Sequence, residues 1–264
     1  MNFNYKKYRT HILEHLANYK RNVLKVNKNG LDTRFKKEYP HILPKNKEYL
    51  NIIHSKYGMD LWDLIKTYRI KLHKEFHHLN SSQALCFNLL YPIMKENMFD
   101  LLLGNKEEII GWKFEFEPNK KERTNFDAFI QTNKNDYYFE LKFTESEFGS
   151  KEINDKTILR YNEIYKEKMK KFNITAELFL NNYQIFRNLS YINTGIINFI
   201  IPKSRIDLNN KLCNVLKNYC NLELRTRINI LYIEEIVKKA ISVKKLNEYY
   251  KIFYEKYLIG ATST

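Results

Sequence analysis

Apolar positions recur at spacings of three and four over residues 5–26, where Ile12, Leu13, Leu16, Tyr19 and Val23 share one helical face. The run KNG at 28–30 is expected to end that helix, with Gly30 as the residue just beyond its C-cap. EYPHILPKNKEYL carries two prolines and reads as a loop leading into another helix. MDLWDLIKTYRIKLHKEFHHL reads as a further helix, with Asp60 as its candidate N-cap. In NSSQALCFNLLYPIMKEN, Ser81 or Ser82 supplies a cap, and Ala84, Leu85, Asn88 and Leu89 follow at helical spacing.

The period then changes to two. GWKFEFEP alternates, with Trp112, Phe114 and Phe116 on one face and Lys113, Glu115 and Glu117 on the other. The turn-rich PNKKER leads to a second strand, TNFDAFI, and NKND to a third, YYFELKF. Two helices are expected over 156–172 and 175–191. TGIINFIIP is almost wholly apolar, as suits a strand covered on both faces. RINILYI reads as one more strand, and helices over 234–258 follow. This order predicts an α/β fold: a mixed sheet with helices on both sides.

Composition narrows the function classes. With 44% hydrophobic and 15% aromatic residues, the 264-residue chain is globular rather than disordered. No stretch reaches the roughly 18 apolar residues of a membrane span, and no apolar secretory segment opens the chain. The expectation is therefore a cytoplasmic protein without a membrane partner. Cys86, Cys213 and Cys220 are odd in number and lack CxxC spacing, so neither a disulfide framework nor a zinc site is indicated. Net charge is +15, and residues 1–80 hold seventeen Lys and Arg against seven Asp and Glu. Such a segment suits a phosphate backbone, whereas a chain rich in Lys, Asn, Ile and Tyr also reflects codon bias. The expected organisation is a basic helical region over 1–79 and a core over 80–264.

The chemistry centres on TNFDAFIQTNKNDYYFELKF. Strand alternation puts Tyr138, Glu140 and Lys142 on one face and Phe139, Leu141 and Phe143 on the other. If Asp127 on the neighbouring strand lies across from them, two carboxylates and an ammonium converge. Such a set suits Mg²⁺, or Mn²⁺, which prefers oxygen ligands and takes one or two carboxylates beside substrate phosphates. Lys142 would then hold or help deprotonate an attacking water. Taken alone, Glu-x-Lys also fits a solvated strand face with a cross-strand ion pair.

The order of SSQALCFNLLYP, KFEFEP, RTNFDAFI and FELKFTESEFG is more specific than any one of these segments. From about residue 81 to 201 the chain resembles the PD-(D/E)XK nuclease superfamily, and more closely its bacterial restriction-endonuclease-like branch. The resemblance leaves the N-terminal third outside. It implies a restriction-endonuclease-like fold that hydrolyses phosphodiesters with Mg²⁺, with Asp127 and Glu140 as metal ligands and Lys142 as the catalytic lysine. It also implies a restriction or host-defence role. Phe126 stands where the superfamily's name has Pro. The backbone carbonyl of Leu141 is a further candidate ligand.

Other positions carry two readings each. Glu115 either adds a carboxylate to the site or lies on an exposed strand face, and Glu117 is less favoured because Pro118 follows it. Gln83 is either a polar partner for nucleic acid or a buried amide satisfied by backbone. Gln184, Arg187 and Tyr191 fall on one helical face. The resemblance places a Gln beside the scissile phosphate, and Arg187 suits phosphate contact; a surface role is the alternative. His73 and His77 lie four apart without a third ligand, and read as basic surface. The leading reading is a Mg²⁺-dependent endodeoxyribonuclease acting on DNA, duplex by preference; many such enzymes cut duplexes as homodimers, and the sequence leaves the oligomeric state open. The alternatives are a nucleic-acid-binding protein that does not cut, and a nuclease for RNA or structured DNA.

Overall fold

The computed structural model describes residues 3–122 and 124–258. The chain divides into two compact units, one of Met1–Lys106, Pro202–Ser204 and Tyr232–Thr264, the other of Glu107–Ile201 and Arg205–Leu231. The first unit opens with α1 (Tyr5–Asn22), a hairpin of β1 (Gly30–Asp32) and β2 (Lys37–Tyr39), and a 3₁₀ segment over Lys45–Asn51. It continues with α2 (Lys56–Thr67), α3 (Ser82–Lys95) and α4 (Asp100–Leu103). The second unit holds β3 (Ile109–Phe116), β4 (Phe126–Thr132), β5 (Asp136–Leu141), α5 (Asp155–Ile164), α6 (Lys166–Met169) and a 3₁₀ turn at Lys170–Phe172. Then come α7 (Ala176–Asn181), α8 (Tyr183–Leu189), β6 (Gly195–Ile201), α9 (Ile206–Tyr219), α10 (Leu222–Arg225) and β7 (Ile228–Tyr232). The chain returns to the first unit in α11 (Ile233–Ile241) and α12 (Asn247–Tyr257). No helix among the described residues is long and apolar enough to cross a membrane.

The first unit departs from the expected string of helices. α1 stops at Asn22, and Gly30 opens β1 instead of ending the helix. Its glycine is required by close approach: a Cβ there would sit 2.0 Å from the Leu43 carbonyl oxygen, while its N–H donates to Ile42 at 2.9 Å. The ammonium of Lys20 is fully buried and donates to Lys28 O, Asn29 Oδ1 and Ile42 O at 3.0–3.1 Å. Three acceptors match its three protons, so the loop after α1 closes on it. α2 also starts earlier than expected, because Ser55 Oγ, not Asp60, accepts from the first turn, from Gly58 N–H at 3.1 Å. It ends at Thr67, and Arg69 at φ +49° turns the chain away, so His77 and His78 lie buried outside any helix.

α3 begins as expected, with Ser81 Oγ accepting from Ala84 N–H at 3.3 Å. It is buried from Gln83 to Met94 on all faces, so it needs polar partners as well as apolar ones. Asn88 Nδ2 supplies them, donating to Asn51 O, Ala84 O and Tyr257 Oη at 2.8–2.9 Å. Lys256 of α12 donates to the same Asn51, at 2.6 and 2.9 Å.

The second unit carries the expected mixed sheet, in the order β3-β4-β5-β6-β7. β3, β4 and β5 form an antiparallel meander, and β6 joins β5 in parallel. β5 is therefore the middle strand of five, buried along most of its length. The two helices expected over 156–172 and 175–191 each break, into α5, α6 and a 3₁₀ turn, and into α7 and α8. Asn154 and Thr175 cap the first member of each set. Within the apolar β6, Asn198 ties its neighbours together: its Nδ2 donates to Tyr138 O at 3.3 Å and its Oδ1 accepts from Asn229 Nδ2 at 2.9 Å.

At the start of β6, Gly195 pairs with Asp136, and a Cβ on it would meet the Asp136 carbonyl oxygen at 2.1 Å. Because that neighbour is backbone, Gly195→Ala must pry β6 from β5. The expected cost is about 2 kcal/mol, read as a lower urea midpoint with an unchanged m-value.

Candidate active site

The β4–β5 ladder ends at Ala128↔Phe139. One more step in that register would set Asp127 opposite Glu140. Instead, the Asp127 side chain replaces a strand carbonyl: its Oδ2 accepts from Leu141 N–H at 2.6 Å. In an extended residue the N–H and C=O lie on the same strand edge. The Leu141 carbonyl is therefore presented on the edge that faces the Asp127 carboxylate. β5 continues on its other side, where Lys142 N–H donates to Ile200 O at 3.0 Å.

Glu140 and Lys142 project together from this strand, and both are buried. Lys142 Nζ lies 3.0 Å from Glu140 Oε1, so the pair is not a solvated surface bridge. Glu140 accepts from four side chains. Gln184 Nε2 at 2.7 Å joins Lys142 on Oε1, while Arg187 Nη2 and Asn188 Nδ2, both at 3.3 Å, reach Oε2. A carboxylate has about four acceptor positions, and the protein fills them. Burial would push the Lys142 ammonium down, but the carboxylates of Glu140, Glu145 and Asp127 outweigh it and hold its pKa above the ordinary 10.5. Lys142 is thus a fixed positive charge at neutral pH.

Asp127 has the opposite balance. Burial, then the charges of Glu140 and Glu115, push its carboxyl well above the ordinary 3.8, against the pull of Lys142 and the Leu141 N–H. Glu115 reaches this region from β3 in a left-handed conformation, φ +50°, which costs a non-glycine residue of order 1 kcal/mol. The β3–β4 ladder pairs Phe114 with Ala128 and Phe116 with Phe126, and Glu115 falls between them at the level of Asp127. Its Oε2 accepts from Asn125 Nδ2 at 3.2 Å. The kink overturns the even alternation expected of GWKFEFEP, since Phe116 stacks on Phe129 with centroids 4.0 Å apart.

α8 supplies the remaining contacts, because residues 184, 187 and 188 share one helical face. Gln184 and Arg187 both meet Glu140. Arg187 is 3% exposed, donates from Nη1 to Asn125 O at 2.9 Å, and lies 5.0 Å from the Phe126 ring centroid. Its guanidinium therefore braces the strand before Asp127 as well as Glu140. Tyr191 lies beyond the end of α8 and packs edge-on against Phe126 at 5.5 Å. Gln83 belongs to the other unit; its buried amide accepts from His73 N–H at 2.8 Å and donates to Lys71 O at 3.0 Å.

Two further residues shape this region without standing among the sequence candidates. Asn188 was detectable, lying four residues from Gln184 on the same face. Arg205 was not, since it is remote in sequence. Fully buried, it forms a bidentate pair with Asp207 at 2.8 and 2.9 Å and donates to Phe143 O at 3.0 Å. With Glu145 Oε2 accepting from Phe143 N–H at 2.7 Å, it fixes the chain just after Lys142.

Among the described residues, no group of three or more His, Cys, Asp or Glu side chains is gathered to hold a metal ion. The donor set at the split is two carboxylates and a main-chain carbonyl. All are hard oxygens, which suits Mg²⁺ or Mn²⁺ and not a softer ion. Burial first, and then the charges of Glu140 and Glu115, disfavour the ionised form of Asp127, and a cation would offset both. By donor type the residues fit the implied ion, which would have to displace one of the four donors now on Glu140.

A family model described as "Restriction Endonuclease associating with ARP" matches residues 4–258. The match takes in the N-terminal third, which the sequence resemblance had left out. No curated protein and no solved structure matches the chain.

Two stability predictions follow from these contacts. Arg187→Met strips a buried carboxylate of one charged donor and should cost about 3 kcal/mol in chemical denaturation. Asp127→Asn should stabilise the protein by about 1 kcal/mol at neutral pH in chelator. The folded state raises this carboxyl, so its ionised form costs stability at high pH. That cost fades as pH falls through the folded value, and the gain from Asn should vanish below the ordinary 3.8, where Asp127 is protonated folded or unfolded.

Proposed function

We propose a function from the premise that the chain belongs to the restriction-endonuclease family described as associating with ARP, and is on that account a nuclease that interacts with DNA. The finer reading is a metal-dependent endodeoxyribonuclease of the PD-(D/E)XK type. The observation that carries it is the convergence of Asp127, Glu140 and Lys142 where β4 and β5 part company.

Asp127, Glu140 and the Leu141 carbonyl would hold Mg²⁺ or Mn²⁺. Such an ion polarises a phosphoryl oxygen and eases ionisation of the attacking water. Lys142, charged at neutral pH, serves as a hydrogen-bond donor and positive charge, not as a proton acceptor. It orients the water and offsets charge that develops on the phosphate in the transition state. Gln184, Arg187 and Asn188 hold Glu140 in place, and Glu115 adds negative charge beside Asp127. The basic segment 1–79 supplies affinity for the phosphate backbone. Duplex DNA cut by a homodimer is the arrangement that restriction chemistry favours.

A second reading has its own support. All four acceptor positions of Glu140 are filled. If those donors are not displaced, the protein binds nucleic acid without cutting it.

Incubation of supercoiled and linear plasmid with Mg²⁺ or Mn²⁺ separates the two. Wild type should cleave, and Lys142→Ala and Asp127→Ala should each fall by about 100-fold or more, while retaining DNA retardation in a gel. DNA that stays intact yet retarded with wild type would favour the binder, and cleavage unchanged in Lys142→Ala would reject this site.

A further inference from the structure

The first unit contains a cleft of about 620 Å³ between the first turns of α1 and the β1–β2 hairpin, in the size range of small-molecule sites. It is lined by Lys6 and Arg9, one turn apart on α1, and by Asp32, Tyr39, His41 and His78. Three features point to one ligand chemistry. Lys6 and Arg9 are exposed cations at the rim. Tyr39, His41 and His78 form a run of rings, with centroids 5.8 Å apart for the first pair and 6.4 Å for the second. Among the described residues, Nε2 of His78 is buried without a hydrogen-bond partner, in a residue that is 7% exposed.

A buried, unpaired imidazole nitrogen costs free energy unless something reaches it. Burial, ahead of the neighbouring positive groups, pushes the pKa of both His41 and His78 down to about 4. At neutral pH they are uncharged hydrogen-bonding rings, suited to the polar edge of a heterocycle and not to an anion. Asp32 has Oδ1 tied to the N–H groups of Arg34 and Phe35 at 2.8 and 3.1 Å, so its carboxylate is held rigidly, and it accepts but does not donate. A carboxylate there disfavours a bare anion and suits an exocyclic amino group. Phe35, 63% exposed at the hairpin tip, adds a further aromatic face beside the cleft.

We propose that this cleft binds a nucleotide, with the phosphate on Lys6 and Arg9 and the base against Tyr39, His41 and His78. A phosphate alone would leave the rings unused, and an apolar ligand would leave the cations and His78 unanswered. The same chemistry is offered by a free mononucleotide and by one unit of a single strand, where bases stack on aromatic side chains with little sequence preference. The site lies wholly within the first unit and does not depend on Asp127, Glu140 or Lys142.

The test is titration calorimetry on the full chain in chelator, with AMP, GMP, pyrophosphate and a six-nucleotide single strand as separate ligands. Either mononucleotide, or the oligonucleotide, should bind, and the better of them identifies the source. Arg9→Glu and Lys6→Glu should each weaken that ligand by about tenfold. Lys7→Glu changes the net charge equally on the same helical turn but does not line the cleft, and should leave affinity nearly unchanged. The proposal is overturned if no nucleotide binds, if pyrophosphate binds as tightly as the nucleotides, or if Lys7→Glu weakens binding as much as Arg9→Glu.

Discussion

The second unit depends on one buried carboxylate. Glu140 sits in the middle strand of the sheet, 3% exposed, with Lys142, Gln184, Arg187 and Asn188 on its two oxygens. An ion in such a place is tolerated only when its acceptor positions are filled and opposite charge is adjacent. Those conditions dictate much else. α8 must present three polar side chains to the sheet, and β5 must sit where both cations can reach. Arg187 then passes the constraint to Asn125 and Phe126, the residues that aim Asp127.

Beside this satisfied carboxylate lies an unsatisfied one. Asp127 takes a backbone N–H and shares the influence of Lys142, yet burial, together with the negative charges of Glu140 and Glu115, holds its carboxyl up. The left-handed Glu115 adds conformational cost at the same level of the sheet. A fold selected for stability alone would remove either feature. Local strain and like charges kept together are expected where binding of a cation or substrate repays them. The parting of β4 and β5 is the geometric counterpart, since it turns a ladder position into an open edge bearing a carboxylate and a carbonyl.

Much of this was legible in the sequence. Period-two patterning located β3, β4 and β5, and the apolar run around 195–201 gave a covered strand. Alternation in YYFELKF placed Glu140 and Lys142 on one face, because a central strand must bury the other. What pattern could not supply was long-range geometry. The β1–β2 hairpin is three residues per strand and mostly polar, too short to show a period. Gly30 looked like a helix terminator because a close backbone contact leaves the same residue type as a left-handed cap. The helices over 156–191 broke where 3₁₀ turns and new caps intervene, which apolar spacing does not register. Arg205 reaches Phe143 across 62 residues, and no local rule connects them.

The central claim is that the edge opened between β4 and β5 is a cation site built from Asp127, Glu140 and the Leu141 carbonyl. Anomalous diffraction from crystals soaked in Mn²⁺ addresses it directly. The account predicts a peak within about 2.5 Å of oxygens from Asp127 and Glu140, with Leu141 O facing it. A map with no peak beside Asp127, or with its strongest peak on other residues, would contradict the account.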